Sequence, residues 1–112
     1  MKNILFVCSA NKQRSKTAED YFKTHFPNFN FKSAGTNPKL CHQYQTTLLN
    51  NDLLNWADYI FVMEEKHQQI INDHTASSFN SQIIILGIED IYQYYQAELI
   101  EILTDKMQVY LN

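Results

Sequence analysis

The sequence predicts an α/β fold in three layers, α/β/α, around a small parallel sheet of about four strands. Three observations lead there. Short apolar runs rich in branched and aromatic residues alternate along the chain with stretches of helical periodicity, the order that gives a parallel sheet with right-handed crossovers. Several of those runs are apolar without alternation, as strands covered on both faces must be. The 112 residues suffice for one compact domain, residues 1–112, and 45% hydrophobic content supplies its core.

In chain order, the first strand is expected over residues 3–7, which hold Ile4-Leu5-Phe6-Val7. Ala18, Tyr21, Phe22, His25 and Phe26 then recur at helical spacing and stop at Pro27. A second strand is expected at 29–32. Residues 44–55 carry Leu48, Leu49 and Leu53 but are interrupted by Asn50-Asn51-Asp52, so two short helices are expected there. A strand at 59–63, a helix at 64–73 and a strand at 82–86 follow. The chain closes on Leu99, Ile102, Leu103, Met107 and Tyr110, an apolar stripe at period 3.6. Cys8, Gly35, Glu64 and Gly87 fall just at the carboxyl ends of strands, where sheets of this kind bind ligands. Glycine is scarce, with two residues, so tight turns fall mostly to Asn, Asp and Ser.

Charge and composition exclude several classes of function. A net charge of −3 makes no electrostatic case for nucleic acid or an anionic membrane. No apolar stretch is long enough to span a bilayer, and because Met1-Lys2-Asn3 runs directly into a strand-like segment, no secretory leader is expected. Two cysteines, Cys8 and Cys41, fit a reducing compartment, so a cytoplasmic location is expected. His42, His67 and His74 show no shared ligand spacing, and neither a metal nor a cofactor is expected.

The chemistry concentrates in Cys8-Ser9-Ala10-Asn11-Lys12-Gln13-Arg14-Ser15, a C-x5-R-S segment. Five intervening residues let the backbone curl so that its N–H groups converge on one point, an anion-binding nest. Cys8 then lies beneath a bound phosphate while the Arg14 guanidinium grips two of its oxygens. A helix starting near Ser15 aims its positive end at the same point, favouring both a thiolate and a dianion. The loop is positive locally, through Lys12, Arg14 and Lys16. The plainer alternatives are that Cys8 is a buried small apolar residue, that Asn11 only makes a turn, that Ser15 caps the helix and that Lys12 is a solvated charge. Arg14 resists such a reading, because a cation is disfavoured at a helix N-terminus.

These residues carry a family resemblance. The C-x5-R-S loop after the first strand resembles that of the low-molecular-weight protein tyrosine phosphatases. Ser33-Ala34-Gly35-Thr36 is similar to the family's Ser-Ala-Gly-Thr, and Ala57-Asp58-Tyr59-Ile60-Phe61-Val62-Met63 to its third-strand signature. Glu89-Asp90-Ile91-Tyr92 falls where the family keeps its Asp-Pro-Tyr acid loop. The Ser-and-Asn-rich loop also resembles that of the RNA polymerase C-terminal-domain phosphatases of the same fold. The resemblance implies hydrolysis of a phosphomonoester through a cysteinyl-phosphate, with Cys8 as nucleophile, Arg14 as phosphate ligand and Asp90 as general acid. It also implies a hydrogen bond from Ser15 to Cys8 and a structural role for Asn11. Ser9, Ala10, Asn11, Lys12, Gln13, Arg14 and Ser15 would bind phosphate, with Tyr92 against the substrate.

Substrates implied are a phosphorylated protein or peptide, phosphotyrosine first, with inorganic phosphate as product. The alternatives are a phosphoserine phosphatase, or a phosphate- or phosphopeptide-binding module without turnover. Departures from the family pattern are Ala10 for Gly, Lys16 for Pro, Gln13 for a second loop cysteine, Ile91 for Pro and a shorter stretch between Gly35 and Trp56. Glu89 can stand in for Asp90 as the acid, and Asp90 can be an ordinary loop acid. Tyr92, Tyr94 and Tyr95 either wall a slot for an aromatic ring or form the packing edge of the last helix.

Overall fold

The structure is a computed structural model and describes residues 1–111. Its strands are β1 (Asn3–Cys8), β2 (Asn30–Gly35), β3 (Tyr59–Val62) and β4 (Ile83–Ile85). Its helices are α1 (Arg14–His25), α2 (Pro38–Tyr44), α3 (Asn51–Trp56), α4 (Glu65–Thr75) and α5 (Ala97–Met107). All strand pairs are parallel, in the order β2-β1-β3-β4, so the strand that leads into the C-x5-R-S loop lies inside the sheet. The expected three-layer α/β/α architecture is the one observed.

Strand alternation divides the core between two faces. Ile4, Phe6 and Cys8 of β1 point with Phe61 and Met63 to the side packed by Ala18 and Phe22 of α1 and by Leu99, Leu103 and Met107 of α5. Leu5 and Val7 point the other way with Ile60 and Val62, against Leu54 of α3 and Ile71 of α4. Phe6 is the hub of the first face, its ring 5.7 to 6.1 Å from those of Phe22, Phe31 and Phe61. Because both faces of β1 are buried, its register is fixed: a slip by one residue would exchange the two sets. That register sets Cys8 beside Gly35 and Val7 beside Val62.

Two stretches depart from the sequence expectation. The helix expected to begin at Tyr44 ends there: α2 starts one residue after Asn37, whose side chain accepts a hydrogen bond from the Leu40 amide, with Pro38 in its first turn. Residues 46–49 are extended and lie along β2, with Gly35 donating to the Thr47 carbonyl and accepting from the Leu49 amide. Of the 44–55 region only α3 is helical, capped by Asn50, whose side chain accepts from the Leu53 amide. The second departure is α5, which stops at Met107; Tyr110 lies beyond it and packs edge-on against Phe61 at 4.9 Å.

Candidate active site

The loop joining β1 to α1 is held from outside, and that hold orients its amides. The carbonyls of Cys8 and Ser9 accept from the Thr36 and Asn37 amides at 2.9 and 3.0 Å, and the Ala10 carbonyl accepts from the Thr46 hydroxyl at 2.5 Å. In a trans peptide the N–H points opposite to the carbonyl. The amides of Ser9, Ala10 and Asn11 are therefore turned away from these partners, as an anion nest requires. Asn11 takes the left-handed conformation at φ 53°.

Buried Asn11 also braces the loop from within. Its side-chain amide donates to the Ser15 hydroxyl at 2.9 Å and to the Ser33 hydroxyl at 2.8 Å, and its carbonyl oxygen accepts from the Thr47 amide. Ser33 passes its own hydrogen to Glu19. Ser15 Oγ, having accepted from Asn11, has its own hydrogen left for Cys8 Sγ, 2.9 Å away. The cap position of α1 is Gln13, not Ser15.

Gly35 is required at its position by contact rather than by φ. A Cβ there would stand 2.5 Å from the Ser9 carbonyl oxygen, 2.6 Å from Cys41 Sγ and 2.9 Å from the Asn11 nitrogen. The loop rests on β2 at the one residue without a side chain.

Cys8, Ser9, Ala10, Lys12, Gln13, Arg14 and Asp90 surround one cavity of ≈ 160 Å³, walled on another side by Leu40 and Tyr44 of α2. Arg14 is 2% exposed and is fixed by two acceptors, Glu64 at 2.5 Å and the Ile88 carbonyl at 2.7 Å. Its Nε lies 3.6 Å from the Asp90 carboxylate. Burial pushes the Glu64 carboxyl up, but the hydrogen bond and charge of Arg14 outweigh that and hold it below the usual carboxylate range. The cation that is unfavourable at the start of α1 is thus balanced by a carboxylate from the start of α4.

His67 completes the wall behind Ser9. It is fully buried, its Nε2 lies 2.9 Å from Ser9 Oγ, and its Nδ1 accepts from the Glu64 amide at 3.1 Å. Burial and the nearby Arg14 charge push its pKa down to about 4.

Several expected placements differ: Asn11 and Ser15, expected to bind phosphate, are buried and do not line the cavity. Tyr92 does not line the cavity but packs against the α1/α5 side of the core. Tyr94 donates to Asp20 at 2.6 Å and Tyr95 lies tilted against Tyr21, so the aromatic wall is Tyr44 instead. Lys16 turns to Glu19 and Asp20 on its own helix, each at 3.4 Å, which leaves Lys12 and Arg14 as the cations on the cavity. Lys12 lies over the Tyr44 ring, 4.0 Å from its centre. Glu89 does not line the cavity. Glu64, His67, Leu40, Tyr44 and Thr46 belong to the site and carry no motif; the one signal was that Glu64 follows a strand at the ligand-binding end of the sheet.

No protein-family model and no curated protein matches the chain. Solved structures do. A low-molecular-weight protein tyrosine phosphatase from Streptococcus pyogenes superposes with a TM-score of 0.79 at 19% identity, over 100% of this chain and 95% of that one. Wzb of Vibrio vulnificus, solved with benzylphosphonate, gives 0.78 at 18% identity over 98% and 97%. The YwlE arginine phosphatase of Geobacillus stearothermophilus gives 0.73 at 21% identity over 99% and 93%. Likeness over nearly the whole of both chains leaves one conclusion for the architecture: this chain has the fold of the low-molecular-weight protein tyrosine phosphatases.

Proposed function

We propose that the chain is a cysteine-dependent phosphomonoester hydrolase acting on phosphotyrosine in a protein or peptide. The observation that carries this reading is the convergence of Cys8, Arg14 and Asp90 on a single cavity whose loop amides face away from their pinned carbonyls. The Cys8 thiolate attacks phosphorus from below as the ester oxygen leaves above, and Asp90 gives that oxygen its proton. Asp90, now a carboxylate, takes a proton from the water that attacks the cysteinyl-phosphate, releasing inorganic phosphate and the thiolate. Arg14 and the loop amides hold the equatorial oxygens throughout. Ser15 stabilises the sulfur anion each time it is the leaving group.

Two features favour an aryl phosphate. Tyr44 and Leu40 give the cavity an apolar wall against which a phenyl ring can lie. Structures of this fold include an arginine phosphatase, but a phosphoarginine side chain would bring a second cation against Lys12, which already sits on the Tyr44 ring. One neighbour was solved with a phosphorylated active-site serine, consistent with a covalent step at this end of the fold.

Turnover by Cys8→Ser and Arg14→Lys on phosphotyrosine, phosphoserine and phosphoarginine peptides tests the proposal. Cys8→Ser should lose turnover and keep phosphate affinity, because the cradle and Arg14 remain. Arg14→Lys should lose both, since a point charge cannot replace the planar fork. Hydrolysis retained by Cys8→Ser rules out the mechanism; phosphate binding by the wild type without turnover of any peptide makes it a binding module.

A further inference from the structure

Ser9 lines the cavity, and its hydroxyl is held by His67. His67 Nδ1 faces the Glu64 amide, which can only donate, so Nδ1 is the acceptor and the imidazole hydrogen resides on Nε2. Nε2–H therefore donates to Ser9 Oγ at 2.9 Å. With that lone pair occupied, the hydrogen of Ser9 is turned away from His67, and Ser9 lines the cavity that Cys8 and Arg14 also line. We propose that His67 is a positioning residue that locks Ser9 as a hydroxyl donor to a non-bridging phosphate oxygen, adding a side-chain ligand to the backbone nest.

The proposal rests on the phosphatase reading of the same cavity. Its chemistry is coherent with the surroundings. Burial and the charges of Arg14 and Lys66 keep the imidazole neutral at neutral pH, outweighing Glu64 and Asp90, which favour the charged form. A neutral imidazole can donate from one nitrogen while accepting at the other; an imidazolium would confront the Glu64 amide with a second donor. The arrangement mirrors that around Cys8, where Asn11 donates to Ser15 and leaves its hydrogen for the sulfur. Two relays, one from Asn11 and one from His67, aim hydroxyl hydrogens at the nucleophile and at the phosphate.

The test is a double-mutant cycle read as inhibition of aryl phosphate hydrolysis by inorganic phosphate, with the imidazole nitrogens followed by 15N NMR. Ser9→Ala should weaken phosphate inhibition roughly tenfold, the worth of one hydrogen bond to a charged group, and raise KM more than it lowers kcat. His67→Phe should weaken it by about fivefold in the wild type but leave Ser9→Ala unchanged, because the effect runs through that hydroxyl. Wild-type spectra should show His67 protonated on Nε2, a measurement that stands even where His67→Phe does not fold. Equal losses from His67→Phe in both backgrounds, or a proton on Nδ1, overturn the proposal. Hydrolysis retained by Cys8→Ser would instead sink the phosphatase reading while leaving the tautomer and the hydroxyl relay as found. A wild type that does not bind phosphate overturns both.

Discussion

Replacing Gly35 by alanine should damage the active-site loop through a single methyl group. Gly35 does not have positive φ, so alanine meets no backbone penalty there and the effect is steric alone. The new Cβ would lie 2.5 Å from the Ser9 carbonyl oxygen and 2.9 Å from the Asn11 nitrogen, both main-chain atoms of the loop. Ordinary contact begins near 3.4 Å, so the loop must retreat by roughly 1 Å, an overpacking worth about 1–3 kcal/mol. Gly35 cannot yield instead, being bonded to Thr47 and Leu49 on its other edge. Urea unfolding should show a midpoint lowered by roughly 1 M. Aryl phosphate turnover should fall at least about tenfold, since a misplacement of that size degrades alignment with the nucleophile. Cys41→Ala in the same protein removes the third close contact, 2.6 Å from Sγ, and should restore little. A Gly35→Ala protein as stable and active as the wild type refutes the reasoning, and so does full recovery on adding Cys41→Ala.

Other expectations are more easily stated. Asp90→Asn should cut phosphotyrosine turnover by roughly two to four orders of magnitude, with a smaller loss on p-nitrophenyl phosphate, whose phenolate leaves without help; Glu89→Gln should change neither. Equal losses on the two substrates would make Asp90 structural. His67 titrates near 4 when folded and near 6.5 when unfolded, so its contribution is complete above pH 6.5 and is lost as pH falls toward 4. That loss amounts to about 3 kcal/mol, and urea midpoints at pH 7 and 4.5 should differ less in His67→Phe than in the wild type. Glu64, with its carboxyl depressed, acts in the same direction but only as pH falls below 4.5. Tyr44→Ala should raise KM for phosphotyrosine peptides and spare phosphoserine peptides, an effect read from the ratio of kcat/KM values.

The Cys8–Ser15 loop was legible because everything that makes it is local: an apolar strand, five residues of spacing, then an arginine at the start of a helix. The parallel sheet followed from runs such as Ile4–Val7 that are apolar on both faces. Residues 44–49 were misread because leucine spacing favoured a helix from Tyr44, whereas the local start signal was Asn37-Pro38, a cap followed by proline in the first turn. Leu48 and Leu49 are apolar for a different reason, lying beside β2 and α3 rather than on one helical stripe. Tyr92 was placed by analogy with an acid loop and instead serves the core. His67 and Glu64 were beyond reach, since their partners Ser9 and Arg14 lie 58 and 50 residues earlier and the parallel pairing of β1 with β3 brings them together.

The outer hold on the loop has a kinetic meaning. Its carbonyls are satisfied by Thr36, Asn37 and Thr46 before any ligand arrives, and Asn11 ties it to Ser15 and Ser33 beneath. A receptor shaped in advance spends little of its binding energy on ordering itself, so association is a single bimolecular encounter with no slow rearrangement after it. Stopped-flow traces with an oxyanion should then be monophasic and linear in concentration. The heat capacity change on binding should stay close to zero, because a small polar anion entering a finished cradle hides almost no apolar surface from water.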